Sequence, residues 1–157
     1  MKTVQLTHRY SAPAADLWAI ATDLDVLKDV MEGLIVFEGL PSGRVQTGQE
    51  CELMVSLFGR LPKQPYFMEV LECDDNAMVL RSNERGAGVK SWRHTLTVQS
   101  TPTGSILTDK IEIDAGFLTW AFAAWARFLY NKRHAPRVRI LKERAEHRSL
   151  TSQTQDV

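Results

Sequence analysis

A histidine and two carboxylates, His94, Asp109 and Glu84, fall on segments that alternate apolar and polar residues, as the strands of a half-buried sheet do. An imidazole beside a carboxylate has its tautomer fixed and its proton affinity raised, which suits a general acid or base. Whether these groups meet depends on hairpin register, which tight turns set. A turn centred on Pro102 and Thr103 pairs Trp92 with Ile113, His94 with Ile111, Leu96 with Asp109 and Val98 with Leu107. One face then collects these eight residues, and the other carries Arg93, Thr95, Thr97, Thr108, Lys110 and Glu112. The first face must look inward.

A second turn, at Asp75 and Asn76, places Phe67, Glu69, Leu71 and Cys73 with Met78, Leu80, Ser82 and Glu84. This assignment predicts that Glu69, Ser82 and Glu84 share the concave space with His94 and Asp109. The contrast between faces is weaker here, because Val70 and Val79 land on the polar side. A slip of one residue would turn every one of these side chains outward.

Polar groups inside an apolar space cost several kcal/mol unless they are paired or wet. Three roles are open to His94, Asp109 and Glu84: a bond that merely pins two strands, an anchor for a ligand, or acid–base chemistry. Trp92, Trp120, Phe122, Trp125 and Phe128, with Leu80, Leu96, Ile111 and Ile113, are candidate walls of a pocket around that cluster. Plain core packing is the competing reading of the aromatic residues, and Trp18 and Met54 read as core. The four histidines, at 8, 94, 134 and 147, are scattered, and neither they nor the cysteines show metal-ligand spacing. No metal or other cofactor is expected. There is no Gly-x-Ser-x-Gly elbow, the RGAG at 85–88 lies between two strands rather than before a helix, and no basic strand face carries interleaved aromatics for nucleic acid.

The elements that would position these residues can be read from periodicity. A strand over 3–10 is followed by two short helices, the first with Ser11 as a possible cap and Pro13 in its first turn, the second capped by Asp23 and ended by Gly33. Strands follow at 34–40, 49–58, 65–73, 77–84, 89–100 and 105–115, separated by Gly, Pro, Asn and Asp. After Gly116 the period becomes helical. Phe117, Ala121, Ala124 and Phe128, beside Leu118, Phe122, Trp125 and Leu129, give an apolar surface so wide that the helix is expected to be largely enclosed. Pro136 should kink or divide it near 131–135. The fold class is therefore α+β: a curved antiparallel sheet of about seven strands wrapped around a long C-terminal helix, with two short helices after the first strand. One domain spans 1–150, and 151–157 reads as a frayed tail.

This order resembles the START-like (Bet v 1-like, SRPBCC) superfamily, in particular bacterial polyketide cyclase/dehydrase and lipid-transport domains. The residues that carry the resemblance are the opening strand running into SAPAADLWAIATD, Phe37-Glu38-Gly39 with the later Gly48, the hairpin over 69–84, and TDKIEIDAG leading into the long helix. The resemblance implies a helix-grip fold with an internal cavity. It carries no shared catalytic motif, and fold alone does not assign a reaction.

The chain has 157 residues, 44% hydrophobic and 24% charged, with 19 basic and 19 acidic residues, so no global field recruits nucleic acid or an anionic membrane. Charge is uneven along it: 127–148 holds eight Lys/Arg against Glu143 and Glu146. The N-terminal 1–13 lacks an apolar signal core, and the most apolar run, 117–130, is short and contains Arg127, so no membrane span and a cytoplasmic location are expected. Cys51 and Cys73 then read as reduced thiols. The leading functional expectation is binding or transport of a small hydrophobic ligand (lipid, quinone, aromatic or polyketide-like) by a monomer or homodimer. The alternatives are a cyclase or dehydratase using His94 with Asp109 or Glu84, and a protein-interaction module using the basic helix.

Overall fold

The computed structural model describes residues 1–155. Seven strands form one antiparallel sheet in the order β1-β7-β6-β5-β4-β3-β2. They are β1 (Lys2–Tyr10), β2 (Ile35–Glu38), β3 (Glu50–Leu57), β4 (Gln64–Asp74), β5 (Val79–Gly86), β6 (Val89–Thr101) and β7 (Gly104–Asp114). Strands β2 to β7 neighbour one another in chain order, as short turns require. β1 instead closes beside β7, with Val4 opposite Ile111 and Leu6 opposite Asp109. The two edges are therefore joined by the crossover that holds α1 (Ala14–Ala21) and α2 (Leu24–Val30).

Local chemistry explains the helix ends. Asp23 caps α2, its carboxylate accepting from the backbone N–H groups of Asp25 at 2.8 Å and Val26 at 3.3 Å. α1 starts after Pro13 with no side-chain cap, so the role expected for Ser11 is not taken. The long C-terminal helix is divided into α3 (Thr119–Lys132) and α4 (His134–Gln155), the break falling at Arg133, three residues before Pro136. Pro136 has no N–H to give the carbonyl four residues earlier, that of Lys132, so the continuous ladder ends where α3 ends. The helix runs on through Gln155, so most of the tail expected at 151–157 is helical. Residues 156 and 157 lie outside the described residues.

The last hairpin has the expected register: Trp92 faces Ile113, His94 faces Ile111 and Leu96 faces Asp109. The β4–β5 hairpin departs from it. Near the turn Cys73 faces Leu80 as expected, but the register shifts between Val70 and Glu72. This bulge leaves Leu71 exposed and reverses the alternation beyond it, so that Val70 pairs with Ser82 and Met68 with Glu84. Tyr66, Met68 and Val70 therefore look inward, and Glu69, opposite Asn83, is turned away from the concave face.

The buried core fills the space between the concave face and the helices, with Leu17, Ile20, Leu96, Leu107, Ile111 and Ile113 among its most enclosed members. α3 crosses β1 and β7, and α1 packs on β6 and β7. The enclosure expected for α3 is one-sided. Ala123, Ala126, Leu129 and Tyr130 are buried, whereas Phe117, Leu118 and Phe128 stay exposed and Trp120 is 67% exposed. Cys51 is buried and Cys73 half-buried, both as free thiols. Among the described residues no helix is long and apolar enough to cross a membrane.

Candidate ligand pocket

The sheet and helices do not close on each other everywhere. They leave a void of about 360 Å³, near the low end of the range for small-molecule pockets. Its floor is the inward face of β3 to β6, including Leu53, Val55, Met68, Val70 and Leu80. α1 and α2 supply Ile20, Leu24, Leu27 and Val30, and α3 covers the opening with Phe122, Trp125 and Leu129. Phe122 can sit low because Gly88, at φ +91°, has no side chain: a Cβ there would lie 3.0 Å from the phenyl ring.

Polar groups gather on the lining contributed by β4, β5, β6 and the α3–α4 junction. His94 Nε2 lies 2.7 Å from Asp109 Oδ1, and Asp109 is 0% exposed. Burial alone would raise the Asp109 pKa, but the His94 hydrogen bond and the fields of Arg137 and Arg133 outweigh it and hold the carboxyl below its ordinary 3.8. Ionised Asp109 accepts, so Nε2–H donates, and Nδ1 is the ring nitrogen left to meet another group. Glu84 is held by two donors, the Tyr66 hydroxyl at 2.5 Å and Ser82 Oγ at 2.9 Å. Burial, and then the adjacent Glu84 carboxylate, push the Tyr66 phenol far above its ordinary value, so it stays a neutral donor. Burial raises Tyr130 in the same way, partly offset by Arg133, whose guanidinium carbon lies 4.0 Å from the Tyr130 ring centroid.

Most of the expected residues come together. His94, Glu84, Ser82, Leu80, Trp92, Leu96, Phe122 and Trp125 all line the void. Asp109 stands behind His94 without lining the void, and Ile111 and Ile113, expected in the lining, are instead fully buried in the core. Three more do not join them. Glu69 is turned to the other face by the bulge. Trp120 is mostly exposed, and Phe128, 42% exposed, packs at a tilt against Trp125 without lining the void. Five polar lining residues escaped the sequence reading as pocket groups: Asp23, expected only as a helix cap, and Tyr66, Tyr130, Arg133 and Arg137. A signal for three of them existed. Ala126, Tyr130, Arg133, Arg137 and Leu141 recur at helical spacing, one inward stripe that continues the apolar face into the basic segment.

No protein-family model and no curated protein matches the chain. Solved structures do. MLL2253 from Mesorhizobium loti aligns with TM-score 0.70 and 16% identity over 90% of this chain and 98% of that one. CV1439 from Chromobacterium violaceum gives 0.65 and 19% over 86% and 96%. Norcoclaurine synthase from Thalictrum flavum, solved with dopamine and hydroxybenzaldehyde, gives 0.66 and 16% over 90% and 87%. At such identities the likeness carries the fold alone. That fold is a curved antiparallel sheet gripping a long C-terminal helix, the architecture expected from the sequence.

Proposed function

We propose that this protein binds a small, largely apolar molecule in the void beneath α3. The observation that carries the reading is the void itself, walled by aliphatic and aromatic side chains with its polar groups set among β4, β5, β6 and the α3–α4 junction. Such a lining orients a ligand by its polar end and gains affinity from its body. Covering about 300 Å² of ligand apolar surface contributes roughly 7 kcal/mol before the entropic cost of association. Norcoclaurine synthase, with the same fold, was solved with two aromatic molecules, which supports a guest of that size in this architecture. The test is native mass spectrometry after incubation with a cell extract, alongside thermal shift with fatty-acid, quinone and aromatic panels. A mass adduct and a raised Tm with one class are expected. No adduct and no shift with any of them would refute the proposal.

One observation favours a second reading, acid–base catalysis of the cyclase or dehydratase kind. His94 combines a carboxylate on one ring nitrogen with a place in the pocket lining. A base so placed contributes about 10²–10⁴-fold to a proton transfer. On this reading His94→Ala lowers kcat on a substrate found by the binding screen and leaves its Kd within a few-fold. Unchanged turnover would rule it out. The docking alternative has lost part of its charge: Arg139, Arg144 and Arg148 pair with Glu143, Asp23 and Asp16, and Arg133 and Arg137 face the void.

A further inference from the structure

Two arginines line the void, and neither is bridged to a carboxylate among the described residues. Arg137 is only 3% exposed and lies beside the Tyr10 hydroxyl, its Nη1 buried and in hydrogen-bond geometry with neither Tyr10 nor any other group among the described residues. Its guanidinium is always charged and carries five N–H donors in a planar fork. A buried cation of this kind is costly to leave unpaired. Arg133, one helical turn away, donates Nε–H to Met31 Sδ at 3.1 Å and lies over the Tyr130 ring, contacts that neutralise no charge.

The anions nearby are engaged. Asp109 feels the field of both arginines, yet its hydrogen bond goes to His94 and its Oδ2 has no partner. Glu84 accepts from Tyr66 and Ser82. Asp23, also in the lining, caps α2 and reaches Arg144 on the outside. Two planar donors therefore line the cavity with no carboxylate in hydrogen-bond contact, Asp109 reaching them only through its field.

We infer that the ligand is an apolar molecule with a carboxylate head, held by Arg133 and Arg137, its hydrocarbon or aromatic body lying against Leu53, Val55, Val70 and Phe122. The inference rests on the ligand-binding reading above and names the chemistry of its polar end. Arginine binds a carboxylate in two parallel hydrogen bonds and loses that geometry with an amide of equal shape. The void volume suits one compact body rather than a two-tailed lipid.

The experiment compares naphthoic acid with naphthamide, and decanoic acid with decanamide, by calorimetric titration of the full chain at neutral pH. The two pairs separate an aromatic from an aliphatic body. In the wild type, at least one acid should bind about tenfold or more tightly than its amide, the difference expected of a charge-assisted pair. Arg137→Met and Arg133→Met should each bring the acid-to-amide affinity ratio to within about twofold, with circular dichroism and thermal unfolding showing that each variant folds. An acid and amide that bind equally in the wild type, or a preference that survives both substitutions, would overturn the head-group assignment and leave the pocket standing. Failure of all four probes to bind would count against both.

Discussion

His94 and Asp109 depend on each other at the level of single atoms. A fully buried carboxylate stays ionised here only because an imidazole N–H bonds it and two arginines lie near. Its folded pKa is depressed below 3.8, so the charged form favours the folded state. That contribution is complete above the unfolded pKa and is lost as pH falls from about 4 through the folded value. Asp109→Asn should therefore cost on the order of 3 kcal/mol at neutral pH. The gap between wild type and variant should narrow as the pH falls from about 4 toward and past the depressed folded value. Urea unfolding at stepped pH measures it. A gap that stays constant over that range would mean the carboxylate is not what is being titrated. The exposed pairs Asp16–Arg148 and Asp75–Arg44 titrate in the same range, but both proteins share them.

Elements decide which residues reach the pocket, and they also decide what was legible beforehand. The β6–β7 pairing follows from a tight turn and an unbroken alternation, so Trp92, His94 and Asp109 could be placed from sequence. β4 has the same kind of turn at its end but inserts Leu71 midway, and a single extra residue exchanges Glu69 for Val70, Met68 and Tyr66. The sign of that bulge was present as Val70, an aliphatic residue stranded on a polar face. In α3 the apolar pattern points the wrong way for the opposite reason: the face against β1 and β7 is marked by small Ala123 and Ala126 with Tyr130, beside the two bulkier stripes and sharing only Leu129 with them. The arginines on the inward stripe give no sequence signal of burial, because charged side chains usually stay in solvent. The close approach of α3 to the β5–β6 turn yields a prediction at this scale. Gly88→Ala strains a left-handed backbone and presses a methyl against Phe122, so it should cost about 1–3 kcal/mol. With Phe122→Ala in the same chain the steric part disappears, and the pair should fall short of additivity by about 0.5–1 kcal/mol in urea unfolding. Strict additivity would place the two groups out of contact.

Taken whole, the molecule keeps a solid core and a hollow one side by side. Val4, on β1, is completely buried and outside the void, within the packed part of the core. Val55, on β3, is also buried, at 6% exposure, but borders the void. Enlarging each to phenylalanine separates these two environments, since surface exposure alone cannot. Val4→Phe has nowhere to place the added ring and should lose about 1–3 kcal/mol by overpacking. Val55→Phe extends into open space and should leave stability unchanged or raise it by about 1 kcal/mol, as cavity-filling substitutions do. The same change takes volume from a guest, so binding of whichever probe the wild type accepts should weaken about tenfold or more. Thermal unfolding of both variants, with titration of Val55→Phe, decides the matter. Equal destabilisation by the two substitutions would show that the interior next to β3 is as tightly filled as the rest, and a protein with no hollow has no place for a ligand. Stability kept and binding lost is the pattern of a fold that leaves part of its core unbuilt for another molecule to complete.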